Sequence, residues 1–296
     1  MDTLFKTGTN SIILGKIYYE KHIPYVENKL LKITKIIENH DEYKNLSKIR
    51  KISNYSKYYC IPEEVSYVLN PGDNFYSVIK RLVKTYDMNI FNSSLFCSYV
   101  NYAGNKDLHE TIIDIKEFSD FSIWKSYKKI IEFSEIILTA LNYLHQNKIC
   151  HLDIKPENIV INTNSFTFKI IDFGFSSTEP FADFINDMRG TPGYFPKQLN
   201  IEKPTPWLPV IKANDMVKVN GLFPFQKNIN LIYKIDSYCL GRVLFFLKHI
   251  YKENKIYSCF EREKKQENIL DKIINDLLKN NVYERPTIKQ CLMTYF

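Results

Sequence analysis

Residues 149–174 of the chain read Ile-Cys-His-Leu-Asp-Ile-Lys-Pro-Glu-Asn-Ile-Val-Ile-Asn-Thr-Asn-Ser-Phe-Thr-Phe-Lys-Ile-Ile-Asp-Phe-Gly. Two β-branched or aromatic runs, 159–161 and 166–171, flank the polar sequence 162–165, which predicts two strands joined by a tight turn. Antiparallel pairing brings the start of the first strand beside the end of the second. Asn158 and Asp172 therefore meet at one edge, and two oxygen ligands there would suit Mg²⁺.

Asp153 and Lys155 lie just before this hairpin. In an extended chain, positions two residues apart point the same way. Pro156 helps to keep the loop from winding into a helix. The stretch thus offers a carboxylate that can accept a proton, an ammonium that can meet a phosphate, and a pair of metal ligands. This set predicts phosphoryl transfer, in which positioning and charge stabilisation do most of the work.

Residues 151–158, His-Leu-Asp-Ile-Lys-Pro-Glu-Asn, and residues 172–174, Asp-Phe-Gly, resemble the catalytic loop and the metal loop of eukaryotic-type protein kinases. A lysine two positions after the aspartate is the pattern of the Ser/Thr branch. The resemblance implies that Asp153 accepts or orients the proton of the substrate hydroxyl and that Lys155 neutralises the moving phosphoryl group. It also implies ATP as the donor and Mg²⁺ at the hairpin edge.

Length and composition agree with a globular enzyme. The 296 residues can bury a full core and suit a two-lobed kinase, and 25% of them are charged. The net charge of +7 is spread over a mixed surface without a basic run, so nucleic-acid binding is not indicated. The cysteines are scattered singly, which favours reduced thiols over a disulfide scaffold or a metal site: Cys60, Cys97, Cys150, Cys239, Cys259 and Cys291.

The expected location is intracellular. The first residues, Met-Asp-Thr-Leu-Phe-Lys, lack the layout of a signal peptide, and no apolar run reaches membrane-spanning length. The wealth of Asn, Ile, Lys and Tyr beside only 9 Gly indicates an AT-rich genome, such as that of a parasite or a large DNA virus. For a virus, the expected location is the host cytoplasm or the virion.

Residues 1–100 are predicted to form a small β-rich lobe, with strands within 11–19 and 29–34 and a helix over 38–52. The turn 6–11 stands where kinases have a phosphate-covering glycine loop. Gly8 is the one glycine retained, Ser11 takes the place of the third, and Ile13 matches the valine. A second register uses Gly15 and Ile17 instead. Two lost glycines should weaken the grip of backbone N–H groups on phosphate.

Lys32 resembles the strand lysine that holds the α- and β-phosphates, with Lys29 and Lys35 as rivals. Glu42 is the choice for the helix glutamate that pairs with this lysine. Asp41 and Glu38 are its alternatives.

A strand over 94–100 is followed by Asn-Tyr-Ala-Gly at 101–104, which resembles the hinge between the two kinase lobes. The resemblance implies that backbone groups of Asn101 and Ala103 bond the adenine. It implies further that Val100 borders the adenine pocket and that Asp107 reaches the ribose.

Residues 105–296 are predicted to form the larger, mainly helical lobe. The clearest periodicity predicts a helix over 122–147 with Ser122 as N-cap, and a short helix is expected over 75–86. Residues 190–194, Gly-Thr-Pro-Gly-Tyr, match the substrate-site motif of Ser/Thr kinases, whose threonine, here Thr191, touches the catalytic Asp and its neighbouring Lys. The triplet that follows is Phe-Pro-Lys, where the family usually has Ala-Pro-Glu.

Residues 198–231 are an insertion rich in proline and aromatic side chains. Helices are predicted over 234–250, where Asp236 matches the family's anchor for the catalytic loop, over 268–279, and after Pro286. In the family, Arg285 pairs with the glutamate of the triplet. Because Lys197 replaces that glutamate, Arg285 is expected to find another acid or to stay solvated.

The sequence as a whole predicts an α+β fold, with residues 1–296 forming one bilobal protein kinase domain. The predicted activity is transfer of the ATP γ-phosphoryl group to Ser or Thr hydroxyls of protein substrates. The alternative is a pseudokinase that acts as a binding or scaffolding module, and it rests on the degenerate glycine loop and the altered triplet. A small-molecule phosphotransferase fits the motif at 190–194 and the Asp236 helix less well.

Many protein kinases carry an arginine before the catalytic aspartate that senses phosphate on the activation loop, and Leu152 stands there in this chain. We expect activity without such phosphorylation. Joint replacement of Ser176, Ser177 and Thr178 by Ala should leave the rate of phosphoryl transfer within about twofold, because no arginine reads a phosphate there. A variant that remains folded but has lost activity in a labelled-ATP assay would contradict this expectation.

Overall fold

The structure is a computed structural model that describes residues 4–7, 11–14, 29–35, 40–63, 67–73, 76–77, 94–118, 120–178, 191, 193–194, 196, 229–254 and 261–296. Several predicted features lie outside these residues: the turn at Gly8, the alternative register through Gly15 and Ile17, most of the helix 75–86, residues 179–190, Lys197 and most of the insertion. The chain divides into two compact units, Met1–Ser47 with Cys60–Tyr102 and Lys48–Tyr59 with Ala103–Phe296.

The first unit is built on an antiparallel five-stranded sheet in the order β1-β2-β3-β5-β4. Its longest pairing joins β3 to β5 over seven residues, from Lys29 opposite Asn101 to Lys35 opposite Leu95. Ile33 and Cys97 face each other in this pairing with fully buried side chains. The strands are β1 (Leu4–Thr7), β2 (Ser11–Leu14), β3 (Lys29–Lys35), β4 (Tyr67–Leu69) and β5 (Leu95–Asn101).

Helices dominate the second unit. They are α2 (Tyr55–Tyr58), α3 (Leu108–Phe118), α4 (Tyr127–Gln146), α5 (Tyr233–Asn254), α6 (Glu261–Leu277) and α7 (Ile288–Tyr295), while α1 (His40–Ile49) crosses the division between the units. A three-stranded antiparallel sheet accompanies them in the order β6 (Lys106–Asp107), β7 (Ile159–Asn162) and β8 (Thr167–Ile170). The α+β class predicted from the sequence is confirmed.

Helix α4 carries the central apolar stripe of the second unit, and Ile130, Phe133 and Ile137 on it are fully buried. The predicted start of this helix is wrong. Ser126 is the N-cap, since its hydroxyl accepts a hydrogen bond from the amide of Lys129 at 3.4 Å. The four residues before it are not helical.

The hairpin of β7 and β8 pairs Ile159 with Ile170 and Asn162 with Thr167. Phe166, predicted as the first residue of the second strand, lies in the turn with a φ of 51°. Its ring packs edge-on against Trp124 at 6.0 Å, and Trp124 is fully buried. Phe166 is thus half-buried and packs on Trp124 from the turn and not from the strand.

Gly104 is needed because the chain passes very close to the hairpin. A Cβ built on Gly104 would lie 2.2 Å from the carbonyl oxygen of Ile161, a distance that no side chain tolerates. The amide of Asn105 donates to the same oxygen at 3.1 Å. This constraint fixes the start of the second unit against β7.

Arg285 is fully buried, which contradicts the expectation of an acid partner or of solvent. Its guanidinium donates to the carbonyl oxygen of Lys279 from Nε at 3.0 Å and from Nη2 at 2.8 Å, and to that of Lys234 from Nη1 at 3.1 Å. The cation also lies 4.7 Å from the centre of the Tyr238 ring. Burial lowers the pKa of Arg285 to about 10. Carbonyls and an aromatic face thus hold this cation.

Replacing Arg285 by Met should lower the free energy of unfolding by about 2–4 kcal/mol, because it removes three hydrogen bonds and leaves two partly buried carbonyls without these donors. Urea unfolding followed by circular dichroism measures the change. Lys289→Met on the exposed side of α7 removes a charge from solvent and serves as the control. Equal stabilities of the two variants would show that the buried bonds of Arg285 contribute nothing.

Candidate active site

The loop before the hairpin is anchored by the carboxylate of Asp236, which lies in the first turn of α5 with no exposed surface. Its Oδ2 accepts from the amide of His151 at 2.9 Å, and its Oδ1 accepts from the amide of Leu152 at 2.8 Å. The ring Nε2 of His145 lies 2.8 Å from Oδ2. A buried carboxylate of this kind is stable only when such donors surround it.

These donors decide the charge state of Asp236. Burial alone would raise the pKa of its carboxyl, but the hydrogen bonds from the His145 ring and from the backbone amide of His151 bring the pKa below its usual value of 3.8. Asp236 is therefore an anion at neutral pH. His145 was missed in the sequence because its partner lies 91 positions away.

The bond to Asp236 holds Leu152 in an unusual backbone conformation. Its backbone has a φ of 66°, a left-handed conformation that costs about 1–2 kcal/mol for a residue with a side chain. The bond from its amide to Asp236 and the burial of its side chain offset that cost. The next residue in the chain is Asp153, which is buried.

Asp153 is contacted by three other residues that the sequence singled out. The hydroxyl of Thr191 donates to Oδ1 of Asp153 at 2.6 Å, and the ammonium of Lys155 lies 2.9 Å from Oδ2. Lys155 also donates to the Thr191 hydroxyl at 2.7 Å. The side chains of Asp153, Lys155 and Thr191 therefore each contact the other two, in a ring of polar contacts. The side-chain amide of Asn158 reaches the carbonyl of Asp153 at 2.8 Å and its Oδ2 at 3.0 Å.

Lys155 keeps its positive charge in this cluster. Burial by itself would lower the pKa of its ammonium, but the charge and hydrogen bond of Asp153, followed by the charges of Glu157 and Asp172, raise the pKa above its usual value. A cation so close to a carboxylate can stabilise negative charge that develops on a transferred group.

His151 connects the loop to the second part of the motif. Its Nδ1 lies 3.3 Å from the amide of Asp153, and its Nε2 lies 3.2 Å from the carbonyl oxygen of Ile171. Because an amide only donates and a carbonyl only accepts, this geometry puts the ring proton on Nε2. The ring packs on Phe173, which also meets Tyr59 edge-on at 5.8 Å.

The hairpin brings the proposed metal ligands to one edge. The amide of Ile171 donates to the carbonyl of Asn158 at 2.9 Å, so Asp172 follows directly after a residue bonded to Asn158. Asp172 is exposed, with a φ of 59°. The amide oxygen of Asn158 takes no part in its bonds to Asp153, and a carboxylate and an amide oxygen suit Mg²⁺.

Among the described residues, no group of three or more His, Cys, Asp or Glu side chains is arranged to hold a metal ion. A magnesium ion that takes one or two protein ligands and completes its shell with water and phosphate oxygens needs no such group. The donor pair therefore fits the metal that the sequence implies.

Asp107, predicted to reach the ribose, lies at the start of α3. Its carboxylate accepts from the amide of Glu110 at 2.8 Å, and its own amide donates to the Glu110 carboxylate at 2.7 Å. Asp107 thus caps the start of α3. Ala103, four positions before Asp107, is half-buried.

In the first unit, Lys32 lies in β3 with an 8% exposed side chain, opposite Ile13 of β2 and Ser98 of β5. Ser11 also lies in β2, opposite Thr34. The side chains of Ser11 and Ile13 lie outside the described residues.

Val100 is buried near the end of β5, and Asn101 follows it as the exposed last residue of the strand. The carbonyl of Asn101 accepts from the thiol of Cys60 at 3.0 Å, a contact that the sequence did not reveal. Glu42 belongs to α1, and its side chain lies outside the described residues.

Ser176 and Ser177, both considered as activation-loop positions, are buried. The hydroxyl of Ser176 donates to the carbonyl of Phe173 at 2.7 Å, and Ser177 exchanges two backbone bonds with Cys150. The alanine variants proposed for them therefore need a folding control.

A family model for the protein kinase domain matches residues 32–296. The chain belongs to this family. Gly8, Ser11 and Ile13 precede the matched range.

Two serine/threonine kinase relatives illustrate the extent of similarity. Serine/threonine-protein kinase nekl-2 of Caenorhabditis elegans is 30% identical over 107 residues, which are 36% of this chain and 30% of that protein. NUAK family SNF1-like kinase 2 of Homo sapiens is 31% identical over 158 residues, which are 53% of this chain and 20% of that protein. The chain thus spans less than a third of the length of these relatives.

A solved structure agrees on the fold. The kinase PK-1 of Cydia pomonella granulovirus has a TM-score of 0.53 and 13% sequence identity, over 99% of this chain and 93% of that one. The predicted kinase-like fold, with a small β-rich part and a larger helical part, is confirmed. Within the described part of the chain, no helix is long and apolar enough to cross a membrane.

Replacing Asp236 by Asn should lower the free energy of unfolding at pH 7 by about 3 kcal/mol, because an amide has one acceptor oxygen where the carboxylate has two and buried donors are left without a partner. The native pKa of Asp236 lies below its unfolded value, so its contribution is complete above that value and is lost as the pH falls through the native pKa. Urea unfolding at pH 7 and pH 3 should therefore show a smaller difference between wild type and variant in acid. A difference that is independent of pH would contradict the assignment.

Proposed function

We propose that the chain is a Ser/Thr protein kinase that transfers the γ-phosphoryl group of ATP to hydroxyl groups of protein substrates. The observation that carries the proposal is the ring of contacts among Asp153, Lys155 and Thr191, each within 2.9 Å of the other two. The Thr191 hydroxyl occupies the place beside the carboxylate that a substrate hydroxyl would need to approach. This ring couples the substrate-side motif to the two groups suited to proton and phosphoryl transfer.

In this mechanism, Asp153 orients the substrate hydroxyl and accepts its proton as the new bond to phosphorus forms. Lys155, held cationic by its neighbours, offsets the negative charge of the phosphoryl group in flight. Asn158 holds Asp153 in its orientation through its amide group. Asp236 contributes indirectly, by fixing the backbone of the loop.

ATP and Mg²⁺ are the proposed cofactors. Asn158 and Asp172 would hold the metal, whose role is to neutralise phosphate charge. Lys32, braced by Glu42, would contact the α- and β-phosphates, while the turn at Gly8, Ser11 and Ile13 would cover them. Val100, Asn101 and Ala103 would contact the adenine, and a ribose contact by Asp107 would have to coexist with its role as a helix cap.

The domain assignment is also a proposal. Residues 1–296 would form one kinase domain, with an N-lobe over about 1–100, a hinge over 101–104 and a C-lobe over 105–296. The division of the chain between Tyr102 and Ala103 supports the hinge, whereas Lys48–Tyr59, within the proposed N-lobe range, groups with the second unit. An intracellular location remains the expectation.

A pseudokinase is the second candidate. Its support is the turn at Gly8, where one glycine remains of the three that bring backbone N–H groups to phosphate. Such a protein would bind partners through the same fold and transfer no phosphate. The two candidates differ in one measurable property, the dependence of protein phosphorylation on Asp153.

Incubation with labelled ATP, Mg²⁺ and generic protein substrates provides the test. Replacing Asp153 by Asn should lower the rate of incorporation by about 10²–10⁴-fold, because it removes the proton acceptor. The control is Asp271→Asn. It removes a carboxylate of α6 that pairs with Lys248 of α5, and this variant should retain the activity. Label appearing on serine and threonine supports the kinase, whereas no Asp153-dependent incorporation supports the pseudokinase.

A further inference from the structure

Arg242 connects α5 to the loop that carries Thr191. It lies on the same helix as Asp236, and its Nε donates to the carbonyl oxygen of Gly193 at 2.9 Å. Gly193 has a φ of 88°, a conformation that glycine adopts without strain. Arg242 therefore binds the loop at Gly193, where the backbone of the loop turns.

The hydrogen bond from Arg242 to Gly193 also affects the position of Thr191, because both residues belong to one short turn. The amide of Tyr194 donates to the carbonyl of Thr191 at 3.3 Å, so the peptide group held by Arg242 lies inside the turn that Thr191 begins. The hydroxyl of Thr191 in turn contacts Asp153 and Lys155. A shift of Gly193 would move the substrate side of the site relative to these two groups.

Aromatic side chains orient the guanidinium. The Arg242 cation lies 5.0 Å from the centre of the Phe246 ring and 5.7 Å from that of Phe245, both on α5. The ring of Tyr194 packs against Phe246 at 6.1 Å. Burial raises the pKa of Tyr194 strongly, so its hydroxyl is neutral and the arginine remains the cation of this cluster.

The guanidinium has donor capacity left over. Nη2 of Arg242 is buried and has no hydrogen-bond partner among the residues that the structure describes. A buried donor without a partner is unfavourable. The position of the guanidinium is therefore explained by the hydrogen bond of Nε to Gly193 and by the contacts with the aromatic rings. The guanidinium thus keeps its bond to the loop even though one of its donors has no partner among the described residues.

Lys197 stands where the family has a glutamate, so the family's ion pair between that glutamate and Arg285 cannot form in this chain. Arg285, the usual partner of that glutamate, is bonded to the carbonyls of Lys279 and Lys234 instead. The bond from Arg242 to Gly193 supplies a tie between the helix and the substrate side.

We propose that Arg242 is a positioning residue for the protein substrate, which sets the place of the 191–194 turn relative to Asp153. The proposal rests on the proposed kinase function. It predicts that Arg242 affects the use of the substrate protein and leaves the use of ATP unchanged. The side chain itself touches neither the phosphoryl group nor the proton acceptor.

The test compares three variants in steady-state assays with a generic Ser/Thr substrate. Arg242→Met should raise the KM for the protein substrate about tenfold, with the KM for ATP unchanged, because one charge-assisted bond is lost. Arg242→Lys should show a smaller rise, since lysine can donate to the Gly193 carbonyl but lacks the planar group that stacks on Phe246.

Lys234→Met is the matched control. Lys234 lies on the same helix and its ammonium donates to the carbonyls of Val282 and Tyr283 at 3.0 and 3.1 Å, on a different loop. It should lower the unfolding temperature without changing either KM. Equal changes in the two KM values of Arg242→Met, or a matching rise of the substrate KM in Lys234→Met, would overturn the proposal.

Hydrogen exchange separates failure of this inference from failure of the proposed function. Arg242→Met should speed exchange of the peptide that contains 191–194 by about tenfold, and Lys234→Met should not. If the wild type shows no Asp153-dependent phosphorylation, the proposed function fails and so does the substrate role of Arg242. If the wild type is active and exchange at 191–194 is unchanged in Arg242→Met, the inference alone is wrong.

Discussion

The architecture of the second unit depends on one buried carboxylate. Asp236 is held at the start of α5 and accepts bonds from two consecutive amides of the loop, which fixes a left-handed residue that the chain would otherwise avoid. Removing a carboxylate from water is unfavourable unless donors surround it, and here the donors are the backbone of the site itself. The same interaction therefore satisfies the anion and shapes the loop. The position of Asp153 follows from it, because that residue comes directly after the strained one.

The hairpin of β7 and β8 gives the site its second constraint. Register alone brings Asn158 beside the end of β8, since pairing of Ile159 with Ile170 leaves no other choice for the flanking residues. Aromatic packing beneath the turn resists any slip of this register, with Trp124 fully buried against Phe168 at 5.9 Å. The packing of these aromatic side chains thus also fixes the position of Asn158 beside the end of β8.

Sequence reasoning succeeded where the interactions are local. The hairpin follows from alternating residue types and a polar turn, and the strands β3 and β5 lie within one residue of their predicted limits. Sequence reasoning failed where the structure of a residue depends on contacts with groups far away in the sequence. Ser126 replaces Ser122 as the cap of α4, the buried bonds of Arg285 go to carbonyls up to 51 positions away, and Gly104 is required by the backbone of Ile161. Backbone carbonyls are present at every residue, so no pattern of side chains could have predicted those partners.

Two arginines of the second unit are held by carbonyls, whereas the loop that carries Asp153 is held by a carboxylate. Arg285 and Arg242 donate to neutral oxygens and stack on aromatic rings, and neither kind of partner titrates between neutral and acidic pH. The bonds of Asp236 do depend on ionisation, since its anionic form is the one that its donors stabilise. Acid should therefore loosen the backbone around Asp153 before it releases the turn that Arg242 holds. The two sides of the site then have different sensitivities to pH, because one rests on a titratable anion and the other on permanent dipoles.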